Sequence, residues 1–100
     1  MEPVLNSEAR VATALAKRYM TLLCKHFGHR VPAHCGTTEG SIEFPSGVCR
    51  MAVPQPDLLV LRAEAGDEAA LGQLEHTVAR HLERFAYRDK PEIAWRRGAG

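Results

Sequence analysis

The chain has 100 residues, 45% hydrophobic and 25% charged, with a formal net charge of +1. That length supports one hydrophobic core but not two, and the near-neutral balance argues against the strongly basic face of a nucleic-acid binder. No apolar run reaches the ~18 residues that read as a membrane span, and the opening residues Met1 to Asn6 lack the basic start and apolar stretch of a signal peptide.

A single domain over residues 1–100 is expected, with frayed ends near 1–6 and 97–100. Ser7 to Ala12 reads either as a short edge strand, with Ala9 and Val11 on one side, or as the first residues of a helix. Thr13 suits a helix N-cap, since its hydroxyl can accept from an unpaired N–H of the first turn. From Ala14 the spacing is helical, and Leu15, Tyr19, Leu22, Leu23 and His26 fall on one face with Phe27 at its margin. Gly28 is the expected stop, taking the left-handed conformation after the helix. Lys25, His26, His29 and Arg30 place positive charge at the negative end of the helix dipole.

Short strands follow. Val31 to Cys35, Ser41 to Phe44, Val48 to Val53 and Leu58 to Ala63 are separated by turns at Gly36–Gly40, Pro45–Gly47 and Pro54–Asp57. The last is the most apolar and belongs in the middle of the sheet. Connections this short predict an antiparallel meander, because a parallel crossover needs a dozen residues or more.

Asp67 then caps a second helix, read from Asp67 to Arg88, with Leu71, Leu74, Val78, Leu82 and Phe85 as its buried stripe. At 100° per residue His81 and Arg88 fall beside that stripe and Arg84 further round, while His76, Arg80, Glu83 and Tyr87 face water. Gly72 costs this helix ~1 kcal/mol against alanine, which suggests close packing there. Pro91 ends the helix, Ile93 and Trp95 alternate as a last short strand, and Arg96 onward reads as a tail. The fold class is α+β: two layers, an antiparallel sheet of four to five short strands with two helices on one face.

Three phrases resemble one family. Tyr19–His29 (YMTLLCKHFGH) looks like its first-helix signature, Phe44–Cys49 (FPSGVC) its central hairpin, and His81–Arg88 (HLERFAYR) with Trp95 its closing signature. The family is the bacterial Domain of Unknown Function 2218, and the resemblance runs from about Ala9 to Arg96. It implies no assigned activity, but an association with siderophore-interacting flavoproteins points toward iron. The pair His34-Cys35 departs from the family pattern.

Five histidines and three cysteines invite a metal. Cys24 and His26 are two apart on a helix, about 200° around, so they cannot share an ion. His26, His29 and His81 form a better trio, if antiparallel packing brings the helices together; the competing reading makes His26 a hydrogen-bonded core residue and His29 a helix-end cation. His81, Arg84 and Arg88, with His26, are the candidate ligand-binding set for a carboxylate, phosphate or catecholate-like anion, because guanidinium groups suit planar two-point contacts. The alternative is that both arginines pair with Glu83, Asp89, Glu92 or strand carboxylates, and that His81 bonds a backbone carbonyl. Cys24 is expected on the polar side of its helix and Cys49 in the core.

No nucleophile with its base, no paired Cys-x-x-Cys and no phosphate-binding glycine loop is present, so catalysis is not expected. The odd, irregular cysteines fit a reducing compartment, with the cytoplasm as default. The leading expectation is a small binding or accessory domain linked to iron or siderophore handling. It would recognise an anionic small molecule or a partner protein through His26, His81, Arg84 and Arg88. A metal or haem protein using iron or another transition metal at His26, His29 and His81 is the second reading, and a homodimeric interaction module without a small ligand the third.

Overall fold

A computed structural model describes residues 4–98. In chain order the elements are β1 (Leu5–Ala12), α1 (Ala16–Phe27), β2 (Ala33–Cys35), β3 (Glu39–Phe44), β4 (Gly47–Gln55), β5 (Leu58–Ala65), α2 (Glu68–Phe85) and β6 (Trp95–Arg97). The strands form one antiparallel sheet in the order β2-β3-β4-β5-β1-β6. The fold is therefore α+β with an antiparallel sheet, and the sheet has six strands rather than four or five.

Short turns make β2 to β5 a meander, as expected, and β5 lies inside the sheet between β4 and β1. The opening strand differs from expectation. β1 is internal, paired with β5 over all eight of its residues from Leu5↔Ala65 to Ala12↔Leu58, and with β6 on its other side. Leu5 and Asn6, expected to fray, are part of it, and Gly98 N–H bonds the Asn6 carbonyl at 2.9 Å. Residues 1–3 and 99–100 of the expected frayed ends lie outside the described residues.

The strands alternate. Ser7, Ala9 and Val11 of β1, Cys49, Met51 and Val53 of β4, and Leu59, Leu61, Ala63 and Ala65 of β5 are buried. The residues between them are exposed or half-buried, the pattern of a sheet covered on one face only. Leu71, Leu74, Val78 and Leu82 supply the buried stripe of α2, where it was expected, while Phe85, its fifth expected member, is only half-buried against the core.

The stripe of α1 is rotated from the expected one. Ala16, Tyr19, Met20, Leu23, Cys24 and Phe27 are buried, whereas Leu15 is 45% exposed and His26 faces out. The periodic set beginning at Ala16 wins because Met20 and Cys24 are apolar enough to be buried with Leu23. Cys24 is thus on the core side, not the polar side.

Helix ends also shift. α1 starts at Ala16 with Leu15 as its cap, and Thr13 serves from outside by accepting the Leu15 N–H at 3.1 Å. Gly28 is right-handed, with φ −62°. What requires glycine there is space, since a Cβ would stand 2.8 Å from the Cys24 carbonyl oxygen. Asp67 caps α2 as expected, accepting the Ala70 N–H at 2.8 Å. α2 stops at Phe85, before the predicted Arg88, and the chain turns through Lys90, which has φ 47° immediately before Pro91. A proline disfavours the right-handed helical region for the residue ahead of it, and Lys90 has left that region.

Candidate functional site

The last turn of α1 meets α2 at an imidazole pair. His26 and His81 have ring centroids 4.8 Å apart with planes at 44°. They rest on aromatic rings: Phe27 is 4.7 Å from His81 and 5.0 Å from His26, Phe85 is 5.8 Å from His26, and Phe44 supports Phe27 at 4.8 Å. His81 Nδ1 lies 2.7 Å from the Thr77 carbonyl oxygen. A carbonyl only accepts, so Nδ1 carries the hydrogen, and Nε2 of His81 is the nitrogen left for a proton or a ligand.

His26 has its pKa held below the ordinary 6.5, first by partial desolvation and then by the positive charges of His81, Arg30, His29 and Arg84. Every charge among these causes is a cation, so the end of α1 and the last turns of α2 form a basic rim.

The expected site residues are thus only partly assembled. His26 and His81 adjoin, and Arg84 and His29 contribute to the field on His26. Arg88 turns to its neighbour instead: its Nε donates to the Tyr87 hydroxyl at 3.0 Å, and its guanidinium carbon lies 5.5 Å from that ring. Neither Arg84 nor Arg88 forms an ion pair among the described residues. Asp89, one expected partner, accepts from Thr13 and Tyr19 instead. Among the described residues no three His, Cys, Asp or Glu side chains converge as a metal-binding group.

A second feature is the uncovered sheet face. Cross-strand pairing aligns His34, Ser41, Arg50, Arg62, Glu8 and Arg96 in one row across all six strands. A groove of about 680 Å³ runs over this row from His34 to Glu8, bounded by Thr37 and Thr38. Its charges are largely matched: Arg50 lies 3.1 Å from Glu64, Arg62 3.9 Å from Glu64, and Arg10 3.8 Å from Glu8. Sequence reading missed this row because its members come from six separated strands, although the alternation within β4 already put Arg50 opposite Cys49 and Met51.

A third was also missed. Cys24, Cys35 and Cys49 lie close together beneath α1: Gly40 sits beside the Cys24 thiol and pairs with Cys35, while Cys49 is in the adjacent strand. The rotation of α1 hides this from helical spacing alone.

These features define a small α+β domain with an open polar sheet face and a basic rim at its helix ends. The chain belongs to the bacterial family described as "Uncharacterized protein conserved in bacteria (DUF2218)", whose profile matches residues 8–96. It is similar to the NMR structure of PA4090 from Pseudomonas aeruginosa, at 34% identity and a TM-score of 0.78, over 92% of this chain and 95% of that one. No curated protein matches the sequence. Among the described residues no helix is long and apolar enough to cross a membrane.

Proposed function

We propose that this chain is a cytoplasmic binding domain rather than an enzyme, and that it receives an anionic group at the rim formed by His26, His81 and Arg84. The observation that carries this reading is the close His26–His81 pair within a field of cations alone. An anion docking there relieves that repulsion, accepts from the Arg84 guanidinium and favours the His26 imidazolium. Arg88 is a partner only after leaving Tyr87. The family resemblance extends the proposal to iron or siderophore handling, with a catechol carboxylate as the ligand type.

The test is an NMR titration of the histidine C–H signals with dihydroxybenzoate and, separately, inorganic phosphate. Saturable shifts at His26 and His81, a rise in the His26 pKa and their loss in Arg84→Ala support the proposal. Shifts confined to His34 move the site to the sheet groove, the alternative favoured by its concavity. No saturable shift anywhere sinks both.

A further inference from the structure

The Cys24 thiol occupies the gap left by a missing side chain. An ideal Cβ on Gly40 would stand 3.1 Å from Cys24 Sγ and 3.3 Å from the Met51 methyl. Gly40 pairs directly with Cys35 across β2 and β3, and Cβ positions of directly paired residues lie roughly 5 Å apart on the same side of a sheet. Cys24 Sγ also lies 3.6 Å from the carbonyl oxygen of His34, the residue before Cys35. The helix therefore delivers one thiol to the side of the edge strand that carries the other. Burial, and then the neighbouring Cys35 thiol, push the Cys24 thiol up to about 12.

We propose that Cys24 and Cys35 are a dithiol site that a low-molecular-weight disulfide of the glutathione class converts to an intrachain disulfide. Access differs between the two, Cys24 being buried and Cys35 exposed. That sets the order of events. Cys35 loses its proton to solvent, and the thiolate attacks one sulfur of the small disulfide. A Cys35 mixed disulfide forms as a first small thiolate leaves. Cys24 then gives up its proton and attacks the Cys35 sulfur, forming the protein disulfide and expelling a second small thiolate. Two protein thiols are oxidised by two electrons, one small disulfide is reduced to two thiols, and the protons end on those thiols.

The product joins α1 to β2 through a bond across the Gly40 gap. β2 is a three-residue edge strand, exposed along its length, with His34 facing the open groove. Oxidation therefore anchors a short edge strand of the sheet and one wall of that groove. Cys49 is a built-in control, buried in the strand beyond β3 and fully covered.

The reduced full chain is incubated with glutathione disulfide and digested under non-reducing conditions for mass mapping. The expected product has lost two hydrogens and links the Cys24 peptide to the Cys35 peptide, with Cys49 free. Cys49→Ser gives the same link, Cys24→Ser stops at the mixed disulfide on Cys35, and Cys35→Ser stays reduced. Amide exchange in β2 slows roughly tenfold or more on oxidation, since the bond closes a short loop. Wild-type protein that stops at the Cys35 mixed disulfide, or that links Cys35 between two chains, overturns the proposal without relying on any variant to fold.

Discussion

The Tyr19 hydroxyl donates to the Asp89 carboxylate at 3.2 Å, joining α1 to the exit of α2 across 70 positions of sequence. The Thr13 hydroxyl donates to the same oxygen while accepting the Leu15 N–H. One carboxylate therefore holds the entry of the first helix against the turn that follows the second. Asp89→Ala is expected to lower the unfolding free energy by about 1.5–3 kcal/mol, the range for hydrogen bonds to a charged acceptor. Urea denaturation reads this as a lower midpoint at unchanged slope. A second readout is spectroscopic: burial first, then the Asp89 charge, raise the Tyr19 pKa above 10.0, so the variant's phenol ionises at lower pH. An unmoved absorbance titration would mean that Asp89 does not act on Tyr19.

The lowered His26 pKa makes stability depend on pH in a stated direction. Below 6.5 the unfolded chain takes up this proton before the folded one does. The stabilising contribution is complete above 6.5 and is lost as pH falls toward the depressed folded value. The groups facing His26 are His81, Arg30, His29 and Arg84, all positive when charged. Arg84→Gln is expected to raise the His26 pKa toward 6.5 and to flatten that part of the stability profile. NMR titration of the imidazole C–H signal checks the first, and denaturation midpoints across pH check the second.

Much of this architecture was legible because local chemistry and tertiary context agree. The stripe Leu71–Leu74–Val78–Leu82, the Asp67 cap and the short turns between β2 and β5 each point to the structure observed. α1 was harder. Two overlapping periodic sets run through it, and only the packed sheet decides that Met20 and Cys24 are buried and Leu15 is not. That quarter-turn also governs the sites. It exposes His26 at the rim, where it still meets His81, and carries Cys24 down to Gly40, a contact between residues 16 apart that no local spacing encodes. Arg88 was misplaced for a related reason: α2 ends before it, so helical angles no longer describe its direction.

Ser7 is fully buried on the helix-covered face, and its hydroxyl has no partner among the described residues. A buried hydroxyl without a hydrogen bond loses its hydration and gains nothing in return. Ser7→Ala removes only that oxygen and leaves β1 pairing intact. The expected result is a gain of about 1 kcal/mol in unfolding free energy, near the lower end of the penalty for an unsatisfied polar group. A loss of stability would show that the hydroxyl has a partner in solution, such as an internal water.

Glycines separate two kinds of close approach, and alanine substitution distinguishes them. At Gly72, within α2, a Cβ would lie 3.8 Å from the Arg97 guanidinium, an ordinary contact. Arg97 reaches over this helix to Glu75, with its Nε and one terminal nitrogen each 3.2 Å from the carboxylate, which ties β6 to α2. The residue expected to lie in a tail thus closes over the glycine that suggested close packing. Because the methyl fits, Gly72→Ala should recover helix propensity and add about 0.5–1 kcal/mol of stability. At Gly47 the geometry is the opposite: φ is +158°, and a Cβ would meet the Glu64 carbonyl oxygen and Ala65. The hairpin joining β3 to β4 must shift to admit a side chain, and Gly47↔Ala65 and Val48↔Glu64 pairing is displaced with it. Gly47→Ala should therefore destabilise by about 1–3 kcal/mol through local strain. Thermal melts of the two variants are expected to move in opposite directions from wild type, and a shared direction would mean that backbone entropy, not the space around each glycine, sets the outcome.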